Sequence, residues 1–113
     1  MIKILHNPRC SKSRAGLKLL EEKGIQPEIV KYLDQPLSTQ ELKEILAMMG
    51  KRPTDILRTN EDLYKKAYKG KELTDDEWIE VMVANPRLIE RPIVINGNKA
   101  VLGRPAENIE TIL

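Results

Sequence analysis

The sequence predicts an α/β domain, a four-stranded mixed sheet flanked by helices, ordered β-α-β, then a helical insert over about 38–84, then β-β-α. Three observations carry this expectation. The apolar runs at Ile2–Leu5 and Glu28–Leu33 bracket a segment with helical spacing. At that separation they form a right-handed βαβ unit with parallel strands. Two capping boxes, Ser38-Thr39-Gln40-Glu41 and Thr74-Asp75-Asp76-Glu77, each open an apolar segment. Near the C-terminus, Pro92–Asn96 and Lys99–Leu102 flank Asn96-Gly97-Asn98, a hairpin signal.

Each element has its own justification. Ile2-Lys3-Ile4-Leu5 is nearly continuous in apolarity, as suits a strand buried in a sheet. A helix is expected over about Ser11–Lys23, where Ala15 and Leu19 lie four apart, as do Gly16 and Leu20. Gly24 is placed to end it in the left-handed conformation. Glu28–Leu33 supplies the second strand through Ile29, Val30, Tyr32 and Leu33, and Pro36 closes the unit. After the first capping box, Leu42, Ile45, Leu46 and Met49 form an amphipathic stripe that ends at Gly50, with Met48 and Met49 expected in the core. Lys51–Lys71 is mixed and charged, with one or two short helices expected and Pro53 as a first helical residue. The second capping box opens a helix with Trp78, Val81 and Met82 on one face, stopped by Asn85-Pro86. After the hairpin, Gly103-Arg104-Pro105 begins a last helix with Ile109, Ile112 and Leu113 on one side.

Length and composition narrow the classes. A chain of 113 residues is expected to form a single domain, 1–113, with the insert as an elaboration. Its 41% hydrophobic and 32% charged residues are those of a soluble globular protein. No apolar run is long enough to span a bilayer, and no signal peptide precedes the first strand. A net charge of +2 is too small to argue for nucleic acid. One cysteine excludes an internal disulfide and fits a reducing cytoplasm. One cysteine and one histidine do not make a tetrahedral zinc site, so no metal is expected.

The chemistry concentrates in His6-Asn7-Pro8-Arg9-Cys10-Ser11-Lys12-Ser13-Arg14, between the first strand and the first helix. A helix N-terminus presents unpaired N–H groups and the positive end of the helix dipole. A cysteine there has its thiolate stabilised and its pKa lowered. The same donors suit an oxyanion beside the sulfur. Arg9, Lys12 and Arg14 add a basic rim that steers anions. A low-molecular-weight phosphatase is excluded, because C-x5-R would require arginine where Gly16 stands. An ordinary glutaredoxin is excluded too, for want of C-P-Y-C or C-G-F-S.

The stretch matches H-N-P-x-C-x-x-S-R and is accompanied by Ile56-Leu57-Arg58, Glu90-Arg91-Pro92-Ile93-Val94 and Gly103-Arg104-Pro105-Ala106-Glu107. With the predicted topology, these motifs resemble the short-chain branch of the glutathione- and glutaredoxin-coupled arsenate reductase family, which has a thioredoxin-like fold. The resemblance implies that Cys10 attacks arsenate while Arg58, Arg91 and Arg104 surround the oxyanion. It implies supporting places for His6, Asn7, Ser13, Arg14 and Pro92, with a cis peptide at Arg91-Pro92. Ser13 stands where many thioredoxin-fold enzymes keep a second cysteine, so the resolving thiol is external. Glutathione and glutaredoxin are then co-substrates, with no bound cofactor and a monomeric protein expected. Arginine suits this task, since its planar guanidinium donates paired hydrogen bonds to an oxyanion, and fixed positive charge offsets the repulsion between thiolate and arsenate. Two other readings remain open. One is a family member acting on another thiol or oxyanion substrate. The other is a non-catalytic protein like the family's polymerase-binding regulators, which commonly carry C-x-x-C.

Overall fold

A computed structural model describes residues 1–113. The chain forms two compact units, Met1–Gln35 with Arg91–Leu113, and Pro36–Glu90.

The first unit holds β1 (Ile2–Leu5), α1 (Ser11–Glu22), β2 (Glu28–Val30), β3 (Ile93–Asn96), β4 (Lys99–Leu102) and a C-terminal 3-10 helix, Ala106–Ile112. The four strands lie in the order β2-β1-β3-β4. β1 runs parallel to β2 and antiparallel to β3, and β3 runs antiparallel to β4, which makes the sheet mixed as expected. The register decides where the chemistry falls. Leu5 stands opposite Val30 on one side and Ile93 on the other. The chain leaving β1 therefore emerges beside the chain entering β3, so His6–Cys10 and Arg91–Pro92 meet at one end of the sheet.

Ile4, Leu20, Val94, Ile109 and Ile112 form the core here, and Ile2, Leu17, Leu19, Ile25 and Val101 pack around them. Each fully buried Leu or Ile contributes about 2 kcal/mol. Along α1 the buried positions are Ser13, Gly16 and Leu20, whereas Ala15 is exposed. The helix ends at Gly24, φ +76°, and the hairpin turns through Gly97, φ +63°, and Asn98. A positive φ at the first central residue alone matches a type II′ turn, which fits the twist of the flanking strands.

Two ends of this unit differ from expectation. β2 stops at Val30, short of Leu33. Asp34 and Gln35 N–H both donate to the Lys31 carbonyl at 2.9 Å, so the chain turns there, burying Tyr32 and exposing Leu33. The last helix is 3-10, and Leu113 is exposed. At three residues per turn, Ile109 and Ile112 share one face and Leu113 falls off it.

In the second unit, α2 (Thr39–Met49) and α3 (Asp75–Ala84) pack together, joined through a 3-10 turn at Pro53–Ile56 and a π turn at Tyr64–Tyr68, and a second 3-10 turn, Pro86–Leu88, follows α3. Both capping boxes form. Ser38 Oγ accepts from Glu41 N–H at 3.1 Å, and Thr74 Oγ1 from Glu77 N–H at 3.2 Å, each returned by the glutamate carboxylate. Gly50, φ +65°, ends α2. Leu42, Ile45 and Leu46 are buried while Met48 and Met49 are only half-buried, and Ile79 rather than Val81 joins Trp78 and Met82 in the interior. Tyr64 stacks on Trp78 at 6.4 Å between ring centroids, with Tyr68 tilted against the same indole at 6.0 Å. No helix is long and apolar enough to cross a membrane.

Candidate active site

Cys10 is the N-cap of α1, with extended backbone angles φ −96° and ψ 123°. Its N–H donates to the Asn7 carbonyl and its carbonyl accepts from Arg14 N–H, both at 3.0 Å. The turn Asn7–Cys10 and the first turn of the helix thus fix the residue from both sides. Asn7 Oδ1 accepts from Arg9 N–H at 3.0 Å and Arg14 Nη1 donates to the Pro8 carbonyl at 3.0 Å, so both side chains brace the turn. The sulfur does not cap the helix with a well-formed hydrogen bond. Burial pushes the Cys10 pKa up. The Ser13 N–H, the Arg91 side chain, the Lys12 N–H and the charge of Arg91 pull it down further, so the net pKa lies below its ordinary value.

Ser13 is fully buried. Its Oγ accepts from Asn7 N–H at 2.9 Å and meets His6 Nδ1 at 2.7 Å. Burial, then the charge of Lys31, with a smaller push from Arg14, hold the His6 pKa below 6.5, so the ring is neutral near pH 7. A neutral ring can accept the Ser13 hydroxyl proton at Nδ1, which leaves the hydrogen on Nε2. Ser13 thus locks the loop with its oxygen while its backbone N–H faces the thiol.

Arg58, Arg91 and Arg104 are all partly buried. Arg91 brings its side chain to Cys10, and its Nε is buried without a hydrogen-bond partner. Arg104 Nη1 donates to the Arg91 carbonyl at 3.4 Å. Arg91-Pro92 and Arg104-Pro105 are both cis peptides, the first as the resemblance implies and the second unforeseen. Arg58 belongs to the second unit. There Leu57 bridges Ile89, Arg58 N–H donates to the Leu88 carbonyl at 2.8 Å, and Arg58 Nη1 reaches Glu90 Oε2 at 3.5 Å. Its Nε is also buried without a partner. Cys10, Arg91, Arg104, His6, Asn7, Ser13, Arg14 and Pro92 all lie in the first unit.

Gly16 and Gly103 were legible only as a helix position and a motif letter. A Cβ at Gly16 would stand 2.8 Å from Pro92 Cγ, and one at Gly103 would stand 3.1 Å from the same atom. Gly103 N–H also donates to the Pro92 carbonyl at 2.8 Å. Pro92 is therefore seated between two glycines, and Arg91 hangs from it. Two small residues far apart in sequence gave no signal of this shared contact.

A lowered-pKa thiol at the first helix of a β-α-β/β-β sheet, faced by the segment entering β3, defines a thiol-bearing domain of the thioredoxin-like α/β class. Comparison narrows the class. The model of the ArsC family matches residues 5–112. An arsenate reductase of Neisseria meningitidis serogroup A is 49% identical over 114 residues, covering 99% of this chain and 97% of that protein. An arsenate reductase of Haemophilus influenzae is 46% identical over 112 residues, covering 97% of each. The structure of an arsenate reductase from Vibrio cholerae superposes with a TM-score of 0.95 at 43% identity, covering 99% of this chain and 97% of that one. The chain belongs to the ArsC family.

Proposed function

We propose that this protein is an arsenate reductase whose nucleophile is Cys10, with glutathione and glutaredoxin as co-substrates. The observation that carries this reading is the Arg91 side chain at the sulfur of a lowered-pKa helix-terminal cysteine, in a chain 49% identical to an arsenate reductase along nearly its whole length. The Cys10 thiolate attacks arsenic, a sulfur–arsenic bond forms, and an arsenate oxygen leaves as water after protonation. Glutathione adds its thiolate to the same arsenic with loss of a second water. A glutaredoxin thiolate then attacks the glutathione sulfur. The sulfur–arsenic bond breaks with its electron pair left on arsenic, which passes from As(V) to As(III), and the external thiols leave as a mixed disulfide. Hydrolysis of the remaining Cys10–arsenic bond releases arsenite and regenerates the thiol.

Arg91 stabilises both the thiolate and the incoming anion, and its unpartnered Nε–H suits an oxyanion. Arg104 supports Arg91 through its carbonyl. Arg58 enters this reading from the family motif, and its unpartnered Nε–H has the same chemistry. His6, Asn7, Ser13, Arg14 and Pro92 hold the thiol and the arginine in place. A lone cysteine with no second thiol in the chain fits a monomer working in the reducing cytoplasm. The test is NADPH oxidation by the purified protein with glutathione, glutaredoxin and glutathione reductase, with and without arsenate. Arsenate-dependent turnover is expected, abolished in Cys10→Ser and reduced by about a hundredfold or more in Arg91→Ala, as for loss of an oxyanion donor. Full turnover in Cys10→Ser would sink the mechanism.

A further inference from the structure

The loop after β1 and the turn after β2 enclose a cleft of about 250 Å³, lined by His6–Arg9 and by Lys31, Leu33 and Asp34. Arg9, the residue before Cys10, is on its wall, so the cleft opens beside the thiol loop. Its polar groups are unequal in kind. Arg9 and Lys31 are exposed cations, and neither takes part in an ion pair or a side-chain hydrogen bond within the chain. His6 is the third donor. The Ser13 hydroxyl is fully buried and its oxygen already accepts from Asn7 N–H, so its hydrogen needs an acceptor, which His6 Nδ1 supplies at 2.7 Å. The remaining ring hydrogen is then on Nε2, and His6 is among the residues that line the cleft. Against these three donors stands one acidic residue of the lining, Asp34, while the Asn7 amide oxygen is already taken by Arg9 N–H.

A carboxylate with an ammonium group on the adjoining carbon matches this set, donor groups to the carboxylate and Asp34 to the ammonium. We propose that the cleft binds the γ-glutamyl end of glutathione, its α-carboxylate held by His6 Nε2, Arg9 and Lys31 and its α-ammonium by Asp34. This inference rests on the reading of glutathione as co-substrate and assigns that peptide a seat apart from the arginines that take the oxyanion. The cleft also reaches the thiol through the fold. A ligand held on Nε2 fixes the tautomer that receives the Ser13 hydroxyl, and Ser13 presents its N–H to Cys10.

The test is titration of the isotope-labelled full-length protein with S-methylglutathione, which cannot exchange thiols, followed by amide chemical shifts and calorimetry. Shifts are expected at Asn7, Arg9 and Lys31–Asp34, with the His6 ring. Lys31→Ala and Arg9→Ala should each weaken binding about tenfold, the worth of one charge-assisted hydrogen bond. Asp34→Asn should weaken S-methylglutathione but leave its des-amino analogue unaffected. S-methylcysteinylglycine, which lacks the γ-glutamyl group, should not shift the cleft. Absence of binding, shifts confined to the Arg91–Pro92 segment, or unchanged affinity in all three variants would overturn the proposal. The two readings separate in turnover. An unchanged glutathione KM in Lys31→Ala, with arsenate reduction intact, removes the cleft and leaves the reductase. Occupancy of the cleft by S-methylglutathione without any arsenate reduction removes the reductase and leaves the cleft.

Discussion

Cys10 occupies a position where serine or threonine would cap the helix through its oxygen. Sulfur makes a poor cap, and the consequence is electrical: the donors that would have satisfied a hydroxyl act on a thiolate instead. Because Arg91 contributes both hydrogen bonding and charge, Arg91→Ala should move the Cys10 titration upward. The rate of iodoacetamide alkylation against pH measures this directly. Wild type is expected to titrate below an ordinary thiol, and coincident wild-type and Arg91→Ala profiles would refute the assignment. His6 carries a different pH signature. Its folded pKa lies below 6.5, chiefly through burial, while the unfolded chain titrates near 6.5. In the window between the two values the unfolded state binds more protons. His6 therefore gives its full contribution to stability above pH 6.5 and loses it as pH falls through the folded value. Urea denaturation between pH 8 and 5 should show falling stability in that window, with a shallower slope in His6→Gln.

At the scale of elements, the site depends on how closely α1 approaches the segment entering β3. Gly16 permits that approach, since any Cβ there would meet the ring carbon of Pro92 at 2.8 Å and Ile109 Cδ1 at 3.3 Å. A ring locked into a buried turn cannot swing aside, so Gly16→Ala is expected to cost about 1–3 kcal/mol, as overpacking does. It should also draw Arg91 away from the sulfur. Chemical denaturation reads the first effect and the alkylation profile the second. A destabilised variant with an unshifted thiol would show that Gly16 serves packing alone. The capping boxes illustrate the opposite case. Ser38, Glu41, Thr74 and Glu77 act within one turn of chain, which is why their role was visible from spacing.

At the scale of the molecule, each compact unit holds roughly half of the 113 residues. A core of that size is marginal by itself, so we expect the chain to unfold in one transition. Trp78, buried in the second unit, reports that unit by fluorescence, and Cys10 accessibility to alkylation reports the first. Coincident urea midpoints are expected, and separated midpoints would make the units independent domains. The features legible along the chain are local or periodic: the order of strands and helices, the two capped helices, the hairpin, and the cysteine at a helix start. These follow from backbone hydrogen bonding and side-chain period over a few residues, which neighbours in the chain dictate. It also held the family motifs, and with them the names of the arginines. Long-range packing alone pairs Leu5 with Ile93 and so sets Arg91 beside Cys10, seats Pro92 between Gly16 and Gly103, and brings Lys31 and Asp34 to one cleft with His6. Those contacts join residues far apart along the chain. They depend on sheet register and on the space left by absent side chains, neither of which leaves a mark in local spacing.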